Sequence, residues 1–375
     1  VEDISLQSRI DVLTEEQMMI QGSAEAFIAR DEGLNKVREN RFQQPGFDQA
    51  TWREMAEAGW LGFLLPEEYG GIGLSFSDLS LLLIQLGKGL VPAPFSATAV
   101  LAARLIVKGD NEAFKNEMLP ALIAGEWKPA VAWQEARGSM AVKAEKLRCE
   151  GGKLNGEKCF VPDAGGADAF LVSADNDGAT VLYRVDKDAK GLKISYEQRI
   201  DGGFYGKLSF NNVTVGEEVA SAAVAEAALA SALDEARVAA SAELLGVMTR
   251  ALEITIDYIS QREQFGKPIG SFQVLQHKSV DLFVLSEISR SVLLQTAALF
   301  DGDADDTARA IAASQVKARC SDAALQVGKD AIQLHGGIGY TDECNIGLYL
   351  KKAMYLSSLW GNASAHRGRY AELAL

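Results

Sequence analysis

Histidine is scarce in this 375-residue chain, with only His277, His335 and His366. Cysteine is nearly as rare, and Cys149, Cys159, Cys320 and Cys344 form no C-x-x-C pair. No histidine lies close in sequence to a cysteine pair, so zinc-type ligand spacing is missing and no metal site is expected. The thiols read instead as scattered buried side chains. Positive charge is also short: 37 Lys and Arg face 51 Asp and Glu, a net charge of −14. Nucleic-acid binding rewards clustered basic residues, so this balance argues against it. An anionic cofactor is still allowed, because a few arginines and backbone amides suffice to hold one. No Gly-Lys is followed by Ser or Thr, which removes a P-loop. Gly71-Ile72-Gly73 and Gly337-Ile338-Gly339 lack the third glycine of a dinucleotide fingerprint, and neither sits in a βαβ pattern. The longest apolar runs, such as Leu79–Leu86, are interrupted by Ser80 and Gln85 and fall short of a membrane span. No charged-then-apolar leader opens the chain, so a cytoplasmic location is the expectation.

The length allows two or three domains, and a composition 48% hydrophobic and 23% charged is ordinary for a globular protein. Three zones are legible. Residues 1–128 read as helices with polar joints. Leu79, Leu82, Leu83 and Leu86 fall at helical spacing behind Ser77-Asp78 as an N-cap, and Trp60–Gly73 reads as a helix end entering a Pro- and Gly-rich loop. Residues 129–220 carry short β-prone pieces (170–172, 180–183, 193–196 and 207–210) punctuated by the turn signals Asn155-Gly156 and Asn176-Asp177-Gly178. Residues 221–375 are helical again, with an Ala-rich joint at 220–232. One stripe runs through Leu244, Met248, Ala251, Thr255 and Tyr258, and another through Leu282, Leu285, Ile288, Val292 and Leu299. A third long helix is expected from Asp305-Asp306-Thr307 to Gly336-Gly337. Long helices with short joints imply a bundle.

Two segments carry more specific chemistry. Arg262-Glu263-Gln264-Phe265-Gly266-Lys267-Pro268-Ile269, followed by Phe272-Gln273, lies between two helical patterns. It presents a fork-shaped cation and an aromatic ring, suited to a pyrophosphate with an adjacent ring. The same residues are also compatible with a plain helix-joining loop. The second segment is Gln333-Leu334-His335-Gly336-Gly337. Together the two segments resemble the acyl-CoA dehydrogenase family, and the zones match that family along essentially the whole chain. The resemblance implies an α+β multidomain fold: an N-terminal helical domain, a small central antiparallel β-barrel and a C-terminal four-helix bundle. It also implies that Arg262, Gln264, Phe265, Gln273, Gln333, Gly336 and Gly337 grip the ADP portion of an FAD belonging to a neighbouring subunit.

The departures from the family matter as much as the matches. The family's α-proton base is a glutamate followed by glycine in the last helical stretch; here the pair reads Trp360-Gly361. An indole offers an N–H and no acceptor, so it cannot be a general base. The family's second base position falls on Ala236, ahead of Arg237. Glu235 and Glu243 lie near it, but a one-residue offset turns a helical side chain by about 100°. Arg237 matches a family arginine near the active site, and a salt-bridged structural role is an equal reading. The stretches that hold the flavin ring in the family read Trp133-Gln134-Glu135-Ala136-Arg137-Gly138-Ser139-Met140 and Phe160-Val161-Pro162-Asp163 here. Pro162 supplies neither hydroxyl nor N–H. This pattern is similar to the smaller, base-less subunits of heteromeric acyl-CoA dehydrogenases acting on pimeloyl-CoA or steroid side-chain thioesters. The resemblance implies an α2β2 assembly with a homologous catalytic subunit, a shared FAD, an acyl-CoA substrate and electron-transfer flavoprotein as acceptor. The alternatives are a flavin monooxygenase on the same scaffold and a non-catalytic scaffold subunit.

Overall fold

The computed structural model describes residues 13–31 and 33–375; the first twelve residues of the expected N-terminal zone lie outside the described residues. Helices α1 (Glu15–Ile28), α2 (Asn35–Asn40), α3 (Gln49–Glu57), α4 (Phe76–Lys88), α5 (Ala103–Lys108) and α6 (Glu112–Ile123) come first, and a π-helical segment, Phe95–Ala102, leads into α5. The cap of α4 is Ser75 rather than Ser77-Asp78. The Ser75 hydroxyl accepts from Asp78 N–H while Asp78 returns a bond to Ser75 N–H, which satisfies two orphan donors at once. The backbone N–H groups of Phe76 and Ser77 instead donate to the carboxylate of Asp301, far along the chain, a partner that no local pattern reveals.

The middle of the chain forms strands β1 (Pro129–Ala132), β2 (Arg148–Glu150), β3 (Lys153–Pro162), β4 (Ala169–Asn176), β5 (Ala179–Asp186), β6 (Leu192–Gln198), β7 (Phe204–Thr214) and β8 (Glu218–Ala220). The sheet order is β6-β7-β3-β2-β4-β5-β8, with β1 also on β4. The expected antiparallel barrel is therefore a mixed sheet, edged by β6 and β8. Strands β1 and β2 lie along one side of β4 and run parallel to it, with β3 intervening in sequence between β2 and β4. Asn176-Asp177-Gly178 turns as expected, with positive φ at Asp177 (53°) and Gly178 (88°). Asn155-Gly156 does not turn. It lies inside β3 beside a bulge, and the reversal falls at Gly151-Gly152, whose φ values are 57° and 71°.

The chain then returns to helix in α7 (Ala225–Gln261), which absorbs most of the Ala-rich stretch expected to be a joint. A two-strand ribbon follows, β9 (Glu263–Gln264) and β10 (Lys267–Pro268), and then α8 (Gln273–Asp301), α9 (Asp306–His335), α10 (Ile346–Ser358) and α11 (Ala363–Ala374). Asp305 caps α9, and Gly336 ends it at φ 65°. Helix α7 is the centre of the bundle, packing on α4, α8, α9 and α10. The second expected stripe is rotated: Leu282, Leu293 and Phe300 are buried, whereas Ile288 is 46% exposed. By length and composition α8 could cross a membrane, which revises the expectation that no segment reaches that length, although here it packs on α7, α9 and α4.

Where α4 meets α7 the backbones touch. A Cβ on Gly246 would lie 1.9 Å from Ile84 O, and one on Gly87 would lie 2.3 Å from Glu243 O. Neither neighbour is a side chain that can swing away. Gly246→Ala is expected to destabilise the fold by about 1–3 kcal/mol through overpacking, read as a lower urea midpoint at unchanged slope.

Candidate functional site

The turn Leu359–Asn362, between α10 and α11, carries the position where the family's glutamate is expected. Leu359 N–H closes α10 on Tyr355 O, and Asn362 caps α11 by accepting from Ala365 N–H. Between them the chain reverses with φ 55° at Trp360, a left-handed conformation uncommon for a bulky residue, and φ 112° at Gly361. Three donors hold this turn by its backbone. Arg237 Nε (3.1 Å) and His366 Nε2 (3.2 Å) both reach Trp360 O, and Lys317 Nζ donates to Gly361 O at 3.1 Å. Arg237 is anchored in turn by Asp234 (2.7 Å), which Arg369 also grips with bonds of 2.6 and 2.8 Å. Burial, reinforced by Arg237, Lys317 and Arg369, pushes His366 down to about 2, so the ring is neutral and donates through Nε2. Arg237 is 2% exposed and salt-bridged, so the structure gives it the structural role.

Above the turn lies a cleft of about 340 Å³. Its walls include Gln134, Arg137, Ser139, Met140, Phe160, Tyr205, Trp360 and Asn362, and among the described residues no Asp or Glu lines it. Trp360 is 6% exposed, and its indole N–H finds no acceptor among the described residues. Gln134 spends its amide on Ala136 O and Ser139 O. Glu135 turns away from the cleft and accepts from the N–H groups of Glu145, Lys146 and Leu147 and from Lys158 Nζ at 2.8 Å. Burial outweighs that carboxylate and pushes Lys158 down to about 8. Pro162 ends β3 opposite Tyr205 and offers no donor. A flavin ring would find aromatic walls here, with the Arg137 side chain and the Trp360 indole N–H unengaged among the described residues, but no carboxylate base.

The two displaced-base candidates are committed elsewhere. Glu235 is 3% exposed and bound by Arg104 (2.7 and 3.2 Å) and Lys108 (2.9 Å). Glu243 accepts from Ser96 and faces Lys352 at 3.4 Å, in a separate small cavity. Neither lines the cleft, and Ala236 is fully buried.

The seven cofactor-grip candidates gather at one end of the bundle. Arg262 follows α7, and Gln264 pairs with Lys267 across a two-residue turn, Phe265 (φ 57°) and Gly266 (φ 77°), which leaves Phe265 92% exposed. Gln273 opens α8, while Gln333, Gly336 and Gly337 close α9. A Tyr258–His335 stack at 4.4 Å and a Lys278–Asp330 ion pair at 2.7 Å tie these helix ends together. Arg262, Gln264, Gln273, Gln333, Gly336 and Gly337 are exposed, and a Cβ on either glycine would meet nothing within 4 Å. None of the seven lines the cleft, so this end faces outward and fits an extended anionic cofactor lying on it.

Sequence reasoning did not find Asp234, Lys317, His366 and Arg369. A faint signal existed for one of them. Lys317 shares a helical stripe with Ala313, Cys320 and Ala324, a charged residue where α9 is otherwise buried and small.

Comparison with known proteins agrees with this geometry. Residues 14–126 match the pattern of the acyl-CoA dehydrogenase N-terminal domain, and residues 226–375 match that of the C-terminal domain. Isovaleryl-CoA dehydrogenase of Solanum tuberosum is 31% identical over 335 residues, 84% of this chain and 79% of that protein. Acyl-CoA dehydrogenase IpdE2 of Mycolicibacterium smegmatis is 27% identical, covering 93% of this chain and 96% of that protein. Among solved structures, a steroid ACAD named Tcur3481-Tcur3483 superposes with TM-score 0.86 at 32% identity, covering 96% of this chain and 98% of that one. The ChsE4-ChsE5 complex of Mycobacterium tuberculosis has the same fold, with TM-score 0.86 at 24% identity over 96% and 97% of the two chains. Both helical domains and the full-length relatives lead to one conclusion: the chain belongs to the acyl-CoA dehydrogenase family of oxidoreductases.

Proposed function

We propose that this chain is a subunit of an FAD-dependent acyl-CoA dehydrogenase that works beside a homologous, catalytic chain. The observation that carries the reading is the pairing of a cleft with no carboxylate among its described lining residues, Trp360 in its wall, with an exposed set of candidate grip residues away from that cleft. Arg262, Gln264, Phe265, Gln273, Gln333, Gly336 and Gly337 would hold the ADP end of the partner's FAD: the guanidinium on the pyrophosphate, Phe265 on the adenosine side and the open glycine backbone alongside. The bound flavin supplies hydride acceptance as an acyl-CoA becomes its trans-2-enoyl thioester, with electrons passing on to electron-transfer flavoprotein. Proton removal belongs to the partner, since a positioned base contributes about two to four powers of ten in rate and this cleft has none.

Two further features support a partner of the same fold. Helix α8 leaves Val274, Val280, Val284 and Ile288 between 45% and 72% exposed, along a line that begins beside the grip. Such a stripe suits burial against another helical subunit. The solved relatives include one described as a complex of two named chains and one carrying a paired name.

Flavin content and native mass decide the question, comparing this chain alone with the chain co-expressed beside its homologous partner. Colourless protein alone and a yellow mixed assembly with one flavin per pair are the expected results. A yellow homo-oligomer from this chain by itself would overturn the reading and favour oxygen chemistry on the same scaffold. A colourless mixed assembly would leave only a scaffold role.

A further inference from the structure

Lys317 is fully buried in the middle of α9, and among the described residues no carboxylate lies within ion-pair distance of it. Burial, with Arg237 nearby, pushes Lys317 down to about 7, and its ammonium form is tolerated here only because its hydrogens are satisfied. Its partners are backbone: Leu356 O at 2.8 Å, Ser357 O at 3.2 Å and Gly361 O at 3.1 Å, with Ser321 Oγ at 3.3 Å. Leu356 and Ser357 lie in the last turn of α10, whose final carbonyls have no partner within the helix and carry the negative end of its dipole. Gly361 lies beyond the turn. One side chain therefore bonds both the end of α10 and the far side of the reversal that follows it.

We infer that Lys317 fixes the position of the Leu359–Asn362 turn, and with it one wall of the cleft, by donating to the last carbonyls of α10 and to Gly361 at once. Arg237 and His366 hold the same turn through Trp360 O, but only at that single carbonyl. Among the described residues no other side chain hydrogen-bonds both the end of α10 and Gly361, so without Lys317 the left-handed φ of Trp360 is held by fewer contacts. Lys317 does not line the cleft, so it is a positioning residue. The inference concerns this chain's own cleft and holds whether or not a partner supplies flavin.

The test uses the whole chain with Lys317→Met, which keeps length and removes the donors, beside Lys158→Met, which removes the buried lysine of the sheet as a control. Amide hydrogen exchange is followed peptide by peptide. Exchange across 359–362 is expected to rise about tenfold in Lys317→Met, the reading of one lost charge-assisted hydrogen bond, and to stay unchanged in Lys158→Met. Acrylamide quenching of tryptophan emission should rise with it, and the rise should vanish when Trp360→Phe is added. If Lys317→Met fails to fold, Lys317→Gln, which keeps one amide donor but loses the charge and reach of the ammonium, provides the second route. The same local rise in exchange is expected. A general loss of stability with exchange at 359–362 no faster than in the rest of α10 and α11 would overturn the inference.

Discussion

Arg262→Ala is expected to strip flavin from the mixed assembly while leaving this chain folded. Little in the fold depends on the guanidinium. Arg262 is exposed and makes no side-chain bond among the described residues, and what fixes the residue is its backbone: its N–H donates to Tyr258 O at 2.8 Å, and its carbonyl accepts from Ile269 N–H at 2.7 Å. Alanine keeps both bonds. A hydrogen bond to a charged group contributes about 1.5–3 kcal/mol, which converts to roughly ten- to one-hundred-and-fifty-fold weaker flavin retention. Flavin remaining after ultrafiltration, measured against native mass, reads the effect. The mass should hold while the yellow colour is lost. If this chain only scaffolds the assembly, retention will not change, and the grip assigned to the 262–273 segment falls with it. Phe265→Ala provides a graded second point, because a ring 92% exposed has surface to bury only when something lies on it.

The turns that place the candidate grip residues were legible because their signals are local. A two-residue reversal needs positive φ, and Phe265-Gly266 supplies it with glycine in the second place; a glycine with positive φ is a common helix stop, and Gly336 is there. Trp360 at the position where the resemblance expects a carboxylate was legible for a similar reason, since one side chain either is or is not a carboxylate. What stayed hidden depends on contacts between distant residues. Asp301 reaching the start of α4, the parallel docking of β1 and β2 on β4, and Lys317 lying against the end of α10 have no periodicity to announce them. Asn155-Gly156 shows the opposite failure, a strong local turn signal overridden by pairing with β7 on one side and β2 on the other. The α8 stripe was misplaced because part of the apolar surface of that helix, Val280, Val284 and Ile288 among it, faces outward.

The cluster beneath the turn makes a second large effect predictable. Asp234 is the carboxylate that faces both Arg237, which is 2% exposed, and Arg369. Asp234→Asn keeps the shape of the side chain and removes its charge, leaving Arg237 buried with only neutral oxygens as acceptors, the side-chain amide at position 234 and the carbonyl of Trp360. Breaking a buried pair from one side costs about 3–5 kcal/mol, because the surviving ion stays desolvated without compensation. The exposed Arg367–Asp322 pair is the comparison: its side chains are 60% and 55% exposed, and Asp322→Asn should change stability little. Chemical denaturation of the two variants side by side measures the contrast. A large fall for Asp234→Asn confined to the helical bundle, with the sheet domain's hydrogen exchange unchanged, would mark the cluster as the point where α7, α11 and the turn are held together. Equal, small effects would mean that neutral acceptors suffice for Arg237. The turn would then owe its shape to Lys317 and the backbone, and the ion cluster would be an accessory to it.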